Sequence, residues 1–191
     1  DDRSISESLF SILFSDNAVT GEAAAIAIGL VSMGKGCIGG AQDPAAKNTV
    51  YSSLRSYCQE TQHEKIKRGI ALGIALLFYG QKEKAIPFID ELSNDSNSFL
   101  RYAAVYSIAL AFAGTSNNDA LKRLYNFAVG ESSDEVRRTA CISMGFVLLN
   151  DPTKIPGVIR LLSQSFNPPI RYGCAMAVGI CSAGRVSDDV L

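Results

Sequence analysis

One pattern recurs five times along this chain, running from a small residue through apolar residues to a Gly or Asn eleven positions later. The copies span residues 23–34, 69–80, 103–114, 139–150 and 173–184, and their closing residues lie 46, 34, 36 and 34 positions apart. A period in the thirties is typical of solenoid proteins, in which each repeat unit buries its apolar face against its neighbours. The spacing therefore predicts an all-α solenoid of stacked helical hairpins.

Small residues mark two opposite faces of the helix that each copy predicts. With the first residue of a copy counted as position 0, positions 0 and +4 share one face, and +2 and +6 share nearly the opposite one. Most of these positions hold Gly, Ala, Ser or Thr, whereas +3 and +7 hold larger side chains. The pattern predicts a crowded inner layer of five helices, each closed by a left-handed Gly or Asn. We expect Leu at Gly145 or Gly179 to overpack this layer.

A second helix with a one-sided apolar stripe is predicted after each of the first four copies, at 49–59, 84–92, 119–129 and 157–165. The fourth stripe consists of Val158, Leu161 and Leu162. These helices form an outer layer in the predicted single repeat domain, 1–191. Its repeat units are 1–18 (the end of a preceding repeat), 19–64, 65–98, 99–134, 135–168 and 169–191 (truncated). The first full unit carries an insertion at 35–47, interpreted as a tolerated surface loop or, alternatively, a contact arm.

The composition argues against several classes of partner. The formal net charge of −1 gives no general attraction for nucleic acid or anionic lipid. The longest apolar runs are about eleven residues, and a membrane-spanning helix needs about twenty. The first residues do not resemble a secretory signal, so we expect a protein of the cytoplasm and nucleus. Its five cysteines are then interpreted as buried, reduced thiols rather than as metal ligands.

Two glycine-rich motifs and the single histidine offer no convincing catalytic site. Gly29, Gly34 and Lys35 begin like a phosphate-binding loop, and residues 34–39 spell GxGxxG. Both motifs bind phosphate at the start of a helix, but these glycines are predicted at the end of one. His63 is interpreted as a loop residue that caps a helix or bridges adjacent units. We therefore expect no enzyme activity, no cofactor and no metal.

A column of basic residues is the candidate partner-binding feature. Two residues before each copy, except the first, stand Lys67, Arg101, Arg137 and Arg171. Because a cation at a helix N-terminus opposes the helix dipole, these residues need offsetting partners. One interpretation is a salt-bridge and hydrogen-bond ladder between repeats, near Glu64, Asp95 and Asp134. The other is a basic rim that docks an acidic partner.

The chain resembles the proteasome/cyclosome repeat family of helical hairpins over essentially its whole length. The stretches that carry this resemblance are DNAVTGEAA at 16–24, QETQHEKI at 59–66, GIALGIAL at 69–76, VRR at 136–138, NPPIRYG at 167–173 and MAVGIC at 176–181. The insertion at 35–47 and Asn150 in place of Gly depart from the family pattern. The resemblance implies armadillo- or HEAT-like hairpins that close into a two-layered toroid.

The resemblance also implies a function. It indicates a non-catalytic scaffold of the base of the proteasome regulatory particle, which organises ubiquitin receptors, a deubiquitinase and lid subunits. The alternatives are a sister base subunit that receives ubiquitin-like domains, the more distant cyclosome scaffold, or a generic HEAT-like adaptor or transport protein. We also expect the isolated chain to self-associate through apolar side chains at 4–14 or 173–191.

Overall fold

The structure is a computed structural model and describes residues 2–35 and 50–184. In this part of the chain there are ten α-helices and no strand, as the repeat pattern predicts. The helices are α1 Asp2–Phe14, α2 Ala18–Val31, α3 Val50–Glu60, α4 Glu64–Leu77, α5 Ile86–Ser93, α6 Ser98–Ala111, α7 Asn118–Gly130, α8 Asp134–Val147, α9 Ile155–Ile159 and α10 Pro168–Cys181. The contacts between residues divide the chain into two compact bodies, Asp1–Ser107 and Ile108–Leu191, and the boundary falls inside α6.

The five copies of the repeat coincide with α2, α4, α6, α8 and α10, here called the inner helices. Each has 14 residues, begins five positions before its copy and ends at position +8. Local sequence sets the starts: Asn17 accepts hydrogen bonds from the backbone N–H groups of Val19 and Thr20, and Pro168 begins α10, where it has no N–H to leave unpaired. The predicted register is confirmed in all five.

The small-residue faces bring inner helices to backbone contact within each body. In the first body, a Cβ added to Gly29 at position +6 would lie 2.6 Å from the Cα of Gly73, at +4 of the next copy. In the second body, a Cβ added to Gly145 would lie 2.6 Å from the carbonyl oxygen of Ala177. The +2/+6 face of one inner helix thus packs on the 0/+4 face of the next.

Gly179 does not follow the prediction made for it. A Cβ added there would meet no atom within 4 Å in the part of the chain that the structure describes. Gly179 occupies position +6 of the fifth copy, in α10, and no described helix lies against that face of α10. Overpacking by a larger residue is therefore expected at Gly145 and not at Gly179.

The outer layer follows the prediction in three helices and departs from it in the fourth. The predicted stripes of α3, α5 and α7 are mostly buried, with Leu54, Leu92 and Leu124 inaccessible to solvent. The fourth segment is a short α9 followed by a separate 3-10 helix at Leu162–Gln164. It begins earlier than predicted because Pro156 occupies the first turn, so that Ile155, Ile159 and Leu162 form the buried face. Leu161, predicted to be buried, is 70% exposed.

The closing glycines join one repeat to the next within each body. Gly34 and Gly114 are left-handed, with φ of 68° and 66°, as predicted. The N–H of Gly34 donates to the carbonyl of Leu76 at 3.1 Å, and that of Gly114 donates to Phe146 at 2.9 Å. Both acceptors occupy position +7 of the following copy.

Asn150 corrects the prediction that every copy closes in the left-handed region. Its φ is not positive, because a residue with a Cβ adopts that conformation at a cost that Gly avoids. Its side-chain Nδ2 instead donates to the carbonyl of Gly114 at 2.8 Å. Gln81 makes the equivalent bond to the carbonyl of Gly34 in the first body.

Candidate protein-interaction surface

The predicted basic residues each occupy the fourth position of an inner helix, and the three arginines bind backbone carbonyls. Nη1 of Arg101 donates to the carbonyls of Asp95 and Ser96, at 3.0 and 2.8 Å. Nη1 of Arg171 donates to those of Ser165 and Phe166, at 2.7 and 2.9 Å. In Arg137, Nε donates to the carbonyl of Glu131.

We call this recurring arrangement the arginine clamp. Its acceptors lie five or six residues before the arginine, in the segment that leaves the preceding outer helix. Carbonyls at a helix C-terminus lack intrahelical donors and carry partial negative charge. A guanidinium bound there offsets the unfavourable position of the cation near the start of its own helix. The clamp therefore fixes the connection between an outer helix and the next inner helix.

One salt bridge of the predicted ladder is present, between Arg137 and Asp134. Arg137 approaches Asp134 at 3.7 Å, but both lie in α8. The carboxylate of Asp95 lies 3.4 Å from Arg55 instead, and the Nζ of Lys67 lies 5.7 Å from the centre of the Phe99 ring. The carbonyls of the loops, in contrast, accept hydrogen bonds from all three arginines. A docking role for Lys67, Arg101, Arg137 and Arg171 stays a prediction.

An ion-pair network that the sequence analysis missed links two outer helices of the first body. The hydroxyl of Tyr51 in α3 donates to Glu91 in α5 at 2.9 Å. Arg55 pairs with both Glu91 and Asp95. The signal was present in the sequence: Tyr51 and Arg55 are four residues apart, as are Glu91 and Asp95, so each pair lies along one side of its segment.

His63 lies at the N-cap position of α4, but its side chain does not cap the helix. Its Nε2 lies 3.7 Å from a carboxylate oxygen of Asp16, in the turn between α1 and α2. The histidine thus bridges two predicted units, and the capping alternative is wrong.

Asp16 is the centre of a small polar cluster. Its Oδ1 accepts hydrogen bonds from the hydroxyls of Thr61 at 2.7 Å and Tyr57 at 2.8 Å, and these bonds lower the pKa of the Asp16 carboxyl. Burial and the neighbouring carboxylate raise the pKa of Tyr57 to about 12. Every group in the cluster is already paired, so it favours a structural tie over proton transfer.

A shallow groove of about 240 Å³ opens beside this cluster. It is lined by Phe14, Ser52, Ser53, Ser56, Tyr57 and Glu60. The ring of Phe14 packs edge-on against Tyr57, with ring centres 5.0 Å apart. The Tyr57 hydroxyl at the edge of this groove donates to the Asp16 carboxylate, and its pKa of about 12 keeps it protonated at neutral pH.

The exposed apolar side chains of the second body include three on α10 and on the loop before it. Tyr172 and Met176 of α10 are 56% and 41% exposed. Phe166, in the loop, is 99% exposed, which is unusual for a phenylalanine because its burial is strongly favourable. Side chains of this kind are what protein interfaces commonly use.

Four cysteines lie in the described part of the chain, and all four are buried. In residues 2–35 and 50–184, no three His, Cys, Asp or Glu side chains are grouped so that they could hold a metal ion. Cys58, Cys141, Cys174 and Cys181 are buried free thiols, and burial raises the pKa of Cys58 to about 12. Over the same ranges, every helix is too short or too polar to cross a lipid bilayer.

The glycines that resemble a phosphate-binding loop lie inside and after a helix and not before one. Gly29 lies inside α2, packed on Gly73, and Gly34 follows the end of that helix. The helix N-terminus that such a loop requires is therefore absent at these two glycines. Cys37 and residues 36–47 of the predicted insertion lie outside the described residues.

Comparison with known proteins gives the relationship of the chain. No protein-family model matches it. It is 47% identical over 183 residues to the 26S proteasome non-ATPase regulatory subunit 1 homolog B of Arabidopsis thaliana, covering 96% of this chain and 17% of that protein. The chain is homologous to a segment of proteasome regulatory subunit 1. The Drosophila melanogaster subunit 1 is 44% identical over 173 residues, covering 90% of this chain and 16% of the relative.

A third homologue extends the match to the whole chain. The 26S proteasome regulatory subunit rpn2 of Schizosaccharomyces pombe is 40% identical over 190 residues, which is 100% of this chain and 19% of that protein. The resemblance to a proteasome subunit, stated from the sequence motifs, is confirmed. The chain spans less than a fifth of the length of each of these relatives of subunit 1.

Proposed function

We propose that this chain is a scaffold segment of the base of the 26S proteasome regulatory particle and has no catalytic activity of its own. The observation that carries the proposal is its homology, across 90 to 100% of its length, to proteins named as non-ATPase regulatory subunit 1 or rpn2. The fold supports it, because the closely stacked inner helices of the described residues form a rigid support for surfaces that contact other proteins.

Its partners in this proposal are other subunits of the regulatory particle, in the cytoplasm and the nucleus. In the assembled particle it helps to position ubiquitin receptors, a deubiquitinase and lid subunits for the degradation of ubiquitinated proteins. The matched relatives carry the name of subunit 1, which favours that role over the sister subunit that receives ubiquitin-like domains and over a generic adaptor.

Native purification of 26S proteasomes tests the proposal. The protein is tagged at its genomic locus, and proteasomes are isolated independently through a tag on a core-particle subunit. We expect the tagged protein to co-purify in equal amount with the regulatory subunits. Its absence from intact particles, or ATP hydrolysis by the purified protein that persists through chromatography, would contradict the proposal.

A further inference from the structure

Two cysteines meet where the inner helices α8 and α10 pack together. Cys141 occupies position +2 of the fourth copy, and Cys174 occupies position +1 of the fifth. A Cβ added to Gly173, the residue before Cys174, would lie 2.7 Å from the Cβ of Cys141. The two cysteines are 0% and 1% exposed, and their thiols share a hydrogen bond. The pair is therefore enclosed between two successive repeats.

The same packing forms in the first body without sulfur. Position +2 of the first copy is Ala25 and position +1 of the second is Ile70, and both are inaccessible to solvent. A Cβ added to Gly69 in α4 would lie 2.7 Å from a carbonyl oxygen of α2, and one added to Gly173 in α10 would lie 2.6 Å from a carbonyl oxygen of α8. Close packing of successive inner helices thus does not require a pair of thiols.

The hydrogen bond between the two thiols favours a single thiolate in the pair. It lowers the pKa of Cys174 despite burial, and it raises the pKa of Cys141. For comparison, burial raises the pKa of Cys58 to about 12. Because the thiolate is the form that reacts with oxidants, the pair combines a more readily ionised sulfur with a second sulfur beside it.

The position of the pair also suits a covalent bond between the helices. A disulfide requires two backbones that approach closely and side chains that point towards each other. The contact at Gly173 supplies the first condition, and the hydrogen bond between the thiols supplies the second. Both conditions are met in the reduced fold.

We propose that Cys141 and Cys174 form a redox-sensitive pair, which hydrogen peroxide oxidises to a disulfide that joins α8 to α10. The inference goes beyond the proposed function and does not depend on it. In the reduced state the thiols pack as small apolar groups. In the oxidised state they tie two repeats together through residues that are 33 positions apart in the sequence.

The oxidation takes place in two steps. The Cys174 thiolate attacks one oxygen of hydrogen peroxide, so that an S–O bond forms, the O–O bond breaks and hydroxide leaves. The Cys141 sulfur then attacks the sulfenic sulfur, so that the S–S bond forms, the S–O bond breaks and the departing hydroxyl takes the Cys141 proton to leave as water. The dithiol loses two electrons, and the peroxide is reduced to two molecules of water. Because both thiols are enclosed, the peroxide enters when α10 separates transiently from α8.

Mass spectrometry after exposure to hydrogen peroxide tests the pair. The intact protein is oxidised under native conditions, its remaining thiols are blocked with N-ethylmaleimide, and it is digested without reductant. We expect linked peptides that contain Cys141 and Cys174 and that separate on treatment with dithiothreitol. Since Cys174 and Cys181 fall in the same tryptic peptide, Cys181→Ala is the matched control and should form the same link.

Thermal unfolding provides the second measurement. Oxidation should raise the melting temperature of the unsubstituted protein by about 5 °C or more, because the disulfide restricts the unfolded chain. It should not raise that of Cys141→Ala, a variant that carries the residue found at the equivalent Ala25.

Three results would overturn the inference and leave the proposed function intact. The first is a link that forms only in the unfolded protein. The second is no link at peroxide exposures that convert the exposed Met176 to its sulfoxide. The third is an equal change in melting temperature for Cys141→Ala and the unsubstituted protein.

Discussion

At the scale of single residues, side chains in this protein act mainly on the backbone of neighbouring segments. The arginine clamps satisfy loop carbonyls, and Asn150 satisfies the carbonyl of Gly114. Neutral carbonyl acceptors make such bonds less sensitive to salt than pairs of charges. The clamps are thus ties between an outer helix and the next inner helix, and their contribution is measurable as stability.

Arg101→Gln removes one clamp and should lower the free energy of unfolding by about 1 kcal/mol. The carbonyls of Asp95 and Ser96 would lose their hydrogen-bond donor, and water would replace it only in part. Chemical denaturation at low and high salt measures this, and we expect the loss to persist in high salt. The exposed Lys122 provides the control, since Lys122→Ala should stay within about 0.5 kcal/mol. A loss that disappears in high salt would instead favour the predicted ladder of charge pairs.

The Asp16–Tyr57 hydrogen bond gives a pH dependence at the alkaline end. Burial and then the bond to Asp16 raise the pKa of Tyr57 from 10.0 to about 12. A raised pKa in the folded state stabilises the fold below pH 10, and this contribution is lost as the pH rises from 10 to about 12. Asp16→Asn should lower the pKa of Tyr57, without returning it to 10.0 because burial remains.

Ultraviolet absorbance titration measures the ionisation of Tyr57, with Tyr57→Phe identifying its signal among the seven tyrosines. If Asp16→Asn leaves that titration unchanged, the hydrogen bond is not formed in solution.

At the scale of elements, the inner helices are uniform and the outer helices are not. Uniformity follows from the backbone contacts at Gly29 and Gly145, which allow one register only. The outer helices pack by larger side chains, so a segment such as 155–164 divides into an α-helix and a 3-10 helix without disturbing the inner layer. Sequence periodicity is accordingly more informative for the inner layer.

Gly145→Ala and Gly179→Ala form a matched pair with opposite expected signs. At Gly145 the new Cβ would lie 2.6 Å from the carbonyl oxygen of Ala177, so we expect a loss of about 1–3 kcal/mol. At Gly179 the new Cβ meets nothing, and the higher helix propensity of Ala should stabilise the protein by up to about 1 kcal/mol. Thermal and chemical unfolding of both variants gives the comparison. Equal effects on stability would contradict the face-to-face packing of α8 on α10.

The inner helices could be predicted from the sequence because small residues at fixed spacing allow the close approach of backbones. Contacts that depend on distances between side chains of different repeats could not be predicted in this way. Arg101 and Arg137 were correctly singled out, but the choice between carbonyls and carboxylates needs the path of the loop. The network of Arg55 with Glu91 was missed because its members are 36 residues apart. The exposure of Phe166 was not predicted because a loop residue belongs to no periodic pattern of apolar and polar positions.

At the scale of the whole molecule, stability in stacked repeats is the sum of units and nearest-neighbour interfaces. The faces that find no neighbour in the described residues then govern association. On α1 the exposed apolar residues are Ile5, Ile12 and Phe14, and on α10 they are Tyr172 and Met176. Residues 185–191 of the predicted association segment lie outside the described residues.

We expect the isolated chain to self-associate through these faces, because exposed apolar patches favour association. Sedimentation velocity over a range of concentrations should show a mass that increases with concentration. Met176→Lys should shift the equilibrium towards monomer, whereas Lys122→Glu, on the polar side of α7, should not. A chain that remains monomeric at every concentration would contradict this expectation.

The backbone contacts between inner helices also bear on inheritance. Glycine is the only encoded amino acid without a Cβ, so every missense change in a glycine codon adds at least one carbon atom. At Gly29, Gly69, Gly73, Gly145 and Gly173 that atom would fall within 2.7 Å of a backbone atom of the adjacent helix. Missense alleles at these five codons should therefore be harmful whichever base is substituted. The codon of Gly179, on the open face of α10, should tolerate alanine.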